Sequence, residues 1–228
     1  MRAAPVCPRC FGPLHAPNAW SSAWRCGVHG DVPPLHTHRP SDAAFDAVRR
    51  DARVPVWMPW PLPAGWLVTG FAAAGDERTG GLATVVALSG PSVTWGPADM
   101  LLIAEEPGIG LGAAYAGLAG PDPGDGLGTG PPHAKVDVRG HPAALWCVDG
   151  LPADRAAYVG EALGNWLWAI AWPAEVGCLI ALAEFGLRDL SDPDQVIDLP
   201  YGAFSPRLEV GPDAGPGAGS DAGIDTER

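Results

Sequence analysis

The strongest constraint on the fold is the spacing C-x2-C-x15-C-x2-H made by Cys7, Cys10, Cys26 and His29. Two ligands separated by two residues reach one ion from a tight turn, and the turn leaves backbone N–H groups free to support the thiolate sulfurs. Two such knuckles on one ion oblige the intervening residues to leave and return as a hairpin. Pro8 stiffens the first knuckle, and Gly12 and Gly27 supply the unusual backbone angles such turns need. His29 stands where the second knuckle needs its second ligand, and His15, His36 and His38 are the other imidazoles near enough in sequence to replace it. Four protein ligands fill the coordination of zinc, so the expected cofactor is a structural Zn2+ with no open position for a substrate. Its binding free energy, on the order of 10 kcal/mol in small zinc peptides, would fold a module that has little core of its own.

Beyond this module the chain has material for one core domain. Of its 228 residues 47% are hydrophobic and 18% charged, with ten Trp, which excludes global disorder. Gly 31 and Pro 26 point to short strands and many turns in place of long helices. The net charge is −12, and the basic residues gather in the first fifty-odd positions while the remainder is acidic. With a single lysine, Lys135, the chain lacks the basic patch that nucleic acid requires. No apolar run is long enough to span a bilayer, and the N-terminus has no signal-like apolar segment. The five cysteines suit a reducing compartment, so the expected location is cytoplasmic, with Cys147 and Cys178 as buried thiols.

The segment 54–66 carries four prolines and three tryptophans, Trp57, Trp60 and Trp66. Proline cannot donate to a ladder, so the segment reads as an extended arm and not as a helix or a central strand. Its indoles either cover the core of the main domain or line an aromatic groove for a ligand or partner. Before it, His36 and His38 lie in an exposed, proline-bounded connector where two histidines at i and i+2 could share a second ion, and Ser41 or Asp42 caps a short helix with Ala44, Phe45 and Val48 on one face and Arg49 and Arg50 at its end.

After Trp66 the pattern is β. Runs 65–74 and 82–89 form a hairpin, 99–105 a third strand, 133–139 and 143–148 a second hairpin, and 165–172 turns at Pro173 to pair with 177–183. Strand 165–172 sets Trp166, Trp168, Ile170 and Trp172 on one face and Leu167, Ala169 and Ala171 on the other, as a central strand does. The Gly-rich run 105–115 fails the dinucleotide pattern, because Tyr115 stands where its third glycine belongs. Glu105 and Glu106 point to opposite faces and read as a solvated strand end. Ser89 lacks the residues of a nucleophile elbow.

The C-P-x-C opening, the V-P-V-W-M-P-W-P-L-P-x-G-W stretch, the A-E-E run with its Gly-rich loop and the W-L-W-A-I-x-W-P segment resemble an uncharacterised family of actinobacterial proteins of about this length. The resemblance runs from Cys7 to Leu208. Members are sometimes labelled phosphotransacetylase. It implies a shared architecture and an unassigned role, with no residues to carry over.

The expected fold is α+β and mostly β: a zinc-ribbon-like module at 1–40, a linking helix at 41–53, a Trp-rich antiparallel β domain at 54–210 and a disordered acidic tail at 211–228. The expected function is a non-catalytic binding or adaptor protein that engages a protein partner through the metal module and the Pro/Trp surface. The alternative is an enzyme acting on a small metabolite such as an acyl phosphate, with His133, His141 and Asp137 or Asp149 in its site.

Overall fold

In the computed structural model, which describes residues 4–92, 96–124, 127–181, 186–192 and 196–209, the chain opens with three two-residue strands. These are β1 (Leu14–His15), β2 (Arg25–Cys26) and β3 (Gly30–Asp31), paired antiparallel in that order. There follow β4 (Leu35–His38), α1 (Asp42–Asp51), β5 (Trp57–Trp60), β6 (Leu67–Asp76), β7 (Gly80–Pro91), β8 (Pro97–Glu105) and α2 (Leu111–Ala116). The remaining elements are β9 (Ala134–Val138), β10 (His141–Cys147), β11 (Ala156–Ala162), β12 (Asn165–Trp172), α3 (Gly177–Ala181) and β13 (Gly186–Asp189). Among the described residues the strands from β4 onward form one ten-stranded sheet, in the order β4-β6-β7-β8-β12-β11-β10-β9-β13-β5. The fold is thus mostly β, with few short helices and a small Cys-rich N-terminal sheet. Neighbouring strands run antiparallel except β13 beside β9, which is parallel. The tail at 211–228 lies outside the described residues.

Turn chemistry builds the sheet. Between β6 and β7 the Asp76 carboxylate accepts from the N–H groups of Arg78 and Thr79 and from the Thr79 hydroxyl, which closes the hairpin. Arg139 and Gly140, at φ 53 and 82, make the two-residue turn from β9 to β10. Two positive φ angles in succession match the right-handed twist of the flanking strands. Leu163 and Gly164, at φ 55 and 78, do the same between β11 and β12. This corrects the third hairpin expected from sequence. β12 pairs with β11 on one side and β8 on the other, and 177–181 is the helix α3. Pro173 leads into a short 3-10 turn, Ala174–Val176, that feeds this helix, so the chain cannot return as a strand.

The two faces of β12 serve two cores, as its alternation predicts. Leu167, Ala169 and Ala171 join Val86, Leu88, Met100 and Leu102 in an inner core that also takes Val136 and Val138 of β9, Leu187 of β13 and Trp57 and Met58 of β5. Although β5 is last in the strand order, it touches β7 and β8, so the sheet curls over this core. Thr84 Oγ1 donates to Pro55 O at 2.6 Å and ties the arm down. Helix α1, capped by the Ser41 side chain, adds Phe45 and Val48. On the outer face Trp168, Ile170 and Trp172 meet Val85, Leu101 and Ile103, covered by Val6, Phe11, α2 and Leu208.

The prolines confine 57–60 to a sheet edge, where β5 pairs, among the described residues, with β13 alone. The segment around His36 and His38, expected as an exposed connector, is instead strand β4, with His36 opposite Ala73 and His38 opposite Phe71. Its flanking prolines bound a strand.

Candidate metal centre

The metal module is assembled from two turns. In the first, Cys7 N–H donates to Gly12 O at 2.9 Å and Phe11 N–H to Cys7 O at 2.8 Å, with Phe11 at φ 55. Gly12 and Gly27, expected to supply unusual backbone angles, are not at positive φ; Phe11 takes that conformation, and a Cβ on Gly12 would stand 3.3 Å from Cys10 Sγ. The second is the link from β2 to β3, in which Val28 N–H donates to Cys26 Sγ at 3.4 Å. The register Leu14↔Cys26 and Cys26↔Gly30 brings the second turn back against the first.

The result is one cluster in which the ligand atoms of Cys7, Cys10, Cys26 and His29 all lie within 4.8 Å of one another. His29 Nδ1 is 3.6 Å from the sulfur of Cys7 and 3.6 Å from that of Cys26, and the sulfurs of Cys10 and Cys26 are 3.7 Å apart. Ligands about 2.3 Å from a tetrahedral centre stand about 3.8 Å from each other, so these three separations are compatible with edges of a coordination tetrahedron. His15, His36 and His38 are not in the cluster.

The thiols are poised unequally. Burial pushes Cys7 up to about 12, outweighing the backbone N–H groups of Arg9 and Cys10 that favour its thiolate. At Cys26 burial also raises the value, but the N–H groups of Val28 and His29, the His29 imidazole and the Cys7 thiol bring it down to about 6. Burial and the hydrogen bonds that favour thiolate thus oppose each other at both sulfurs, and a divalent cation would displace the protons the cluster keeps.

Among the described residues no second group of three such ligands gathers, so His36 and His38 have no third member for another ion. The expected acid/base site is not assembled. His133 N–H donates to Leu145 O and its Nδ1 accepts from Cys147 N, whereas His141 opens β10 at the opposite end of that hairpin, roughly 17 Å along the strand. Of the three indoles considered for a binding surface, Trp57 and Trp66 are core residues, 1% and 4% exposed. Trp60, at the end of β5, is 41% exposed, with the Arg188 guanidinium 5.0 Å above its ring. Cys147 and Cys178 are half-buried and not fully buried.

Two features escaped the sequence. Glu105, expected at a solvated strand end, is fully buried. Its Oε2 accepts from Leu111 N at 2.7 Å and its Oε1 from Gly112 N at 3.1 Å, so it caps α2 from beneath. Burial raises its pKa to about 7, against the two amides that favour the carboxylate. The second is a cleft of about 610 Å³ where the metal module meets the sheet. It is lined by Ser22 and Trp24 of the module, His36 and His38 of β4, Asp51 of α1 and the Asp76–Arg78 hairpin tip. The only sequence signal was the alternation in His36-Thr37-His38.

The model of a family of unknown function, DUF6758, matches residues 1–208. The chain belongs to this family. The match takes in the metal module and the sheet of this DUF6758 protein together, so the cluster and the cleft lie within the family's common extent. No curated protein and no solved structure matches it. No helix among its described residues is long and apolar enough to cross a membrane.

Proposed function

We propose that this protein is a non-catalytic cytoplasmic binding or adaptor module in which zinc is a structural clasp and a protein partner docks where the metal module meets the sheet. The donor set carries the reading. Three sulfurs and one imidazole nitrogen at tetrahedral spacing take every position on a zinc ion, which braces the chain and leaves no place to polarise a substrate or ionise water. Soft thiolates select zinc over calcium or magnesium, and free thiols in metal spacing belong in a reducing compartment. The acidic charge of the chain disfavours nucleic acid as partner.

With Trp57 and Trp66 in the core, the binding surface passes from the Pro/Trp arm to the module itself. Trp20 is 96% exposed at the tip of the inter-knuckle hairpin, where Asn18 Oδ1 accepts from the N–H groups of Trp20 and Ser21 and fixes the turn. Val28 on the second knuckle is also exposed, and Ser22 and Trp24 of the same module line the cleft. Exposed aromatic anchors beside a concave surface are what partner recognition uses.

Elemental analysis of protein purified without added zinc tests the clasp: about one zinc per chain, lost in Cys7→Ser and in Cys26→Ser, is expected, and zinc retained in both variants contradicts it. For the surface, a stoichiometric partner captured by the wild-type chain should be lost with the double variant Trp20→Ala/Val28→Ser. An unchanged partner list contradicts the assignment.

A further inference from the structure

The first knuckle grips a distant part of the chain. Arg9, between Cys7 and Cys10, reaches the Gly-rich segment that joins β8 to α2: Nε donates to Ile109 O at 3.1 Å and Nη2 donates to Gly108 O. Phe11, directly after Cys10, lays its ring against Tyr115 with centroids 4.9 Å apart. The two contacts hold the segment at both ends of its turn into the helix. Gly110 makes room for the first of them: a Cβ there would stand 3.2 Å from Arg9 Cγ and 2.9 Å from Pro121 Cα, at a φ of +83.

The segment needs such a grip. Helix α2 has six residues, far short of what holds a helix in water, and its N-terminal position, Gly110, offers no capping side chain. Its first amides are satisfied from below by the buried carboxyl of Glu105. Gly112 lies flat on Trp168, where a Cβ would come within 2.3 Å of the indole. The inner side of the segment is therefore fixed by the sheet, and the outer carbonyls, Gly108 O and Ile109 O, are satisfied by Arg9. The closed turn from Cys7 to Gly12 places Arg9 to do this, and an ion shared by Cys7 and Cys10 would brace that turn.

We propose that the first metal knuckle is a latch on residues 106–117: metal occupancy, acting through Arg9 and Phe11, holds α2 down and keeps Glu105 sealed, and metal loss releases this segment while the sheet persists. The latch rests on the clasp reading above. It couples a metal site to a region more than ninety residues away in sequence through two side chains that are not ligands.

Hydrogen exchange of the full chain, followed by mass spectrometry, tests it in three states: metal-bound wild type, wild type treated with a chelator, and metal-bound Arg9→Ala. Peptides covering 105–117 should exchange at least about tenfold faster after chelation, with peptides covering 134–148 unchanged. Arg9→Ala should loosen 105–117 similarly at an undiminished metal content. Equal protection of 105–117 in wild type and Arg9→Ala overturns the latch, and this arm decides even where chelation unfolds the whole chain. Wild-type protein without metal defeats the clasp. One metal per chain with 105–117 indifferent to Arg9→Ala defeats the latch alone.

Discussion

The two knuckles that share the metal site differ in what surrounds them. The first is part of the body. Cys7 is fully buried, Val6 exchanges backbone hydrogen bonds with Leu35 of the large sheet, and Arg9 and Phe11 hold the Gly-rich segment. The second is open to solvent around its buried Cys26, as Cys10 is on the first. Val28 is exposed, Trp20 more so, and the Arg25–Asp31 ion pair that flanks Cys26 is open to water on both sides. Such pairs contribute little. Among the described residues the module's own core consists of Cys7, Cys26 and Val32, with Leu14 packed on it. A shared metal therefore braces a turn packed against the body and ties it to one that little else supports.

Chelation should separate the two with the largest effect. Residues 14–31 are expected to lose their hydrogen-exchange protection almost completely, while β6, β7 and β8 keep theirs, since zinc binding supplies on the order of 10 kcal/mol to modules of this size. Equal loss in both regions would break the comparison.

The body side of the first knuckle also carries a pH signature. Glu105 is raised to about 7 from an ordinary 4.5, so between these values the folded chain holds a proton that the unfolded chain has released. Its contribution is complete below about pH 4.5 and is lost as pH rises through about 7, a change of about 3 kcal/mol. Denaturation of Glu105→Gln across this range should lack that slope relative to wild type. Parallel profiles would show that the carboxyl is not held neutral.

Smaller effects sharpen the contrast between the knuckles. Phe11→Ala, which removes the ring packed on Tyr115, should cost about 1–2 kcal/mol in denaturant unfolding. Trp20→Ala, at a site fully open to solvent, should stay within about 0.5 kcal/mol. The reverse ranking would mean that the outer hairpin is the better packed.

Much of this was legible from residues that act locally. The knuckle spacing, the Ser41 cap, the hairpin at 76–80 and the bulky/small alternation of 165–172 each specify their own geometry. What was missed depends on distant partners or unusual turns. Leu163 at positive φ hides a hairpin, because a leucine gives no turn signal, and β11 was lost with it. Glu105 reads as a strand end until α2 folds back onto it. Trp57 and Trp60 look alike in a proline-rich arm, and only the pairing of β5 with β13 and its crossing of β7 and β8 send one into the core and leave the other half in solvent.

X-ray absorption at the zinc edge on the full chain tests the clasp most directly. The account predicts about one zinc per chain with three sulfur ligands near 2.3 Å, one nitrogen near 2.0 Å and no oxygen ligand. A coordinated water or carboxylate oxygen, or fewer than three sulfurs, would contradict it.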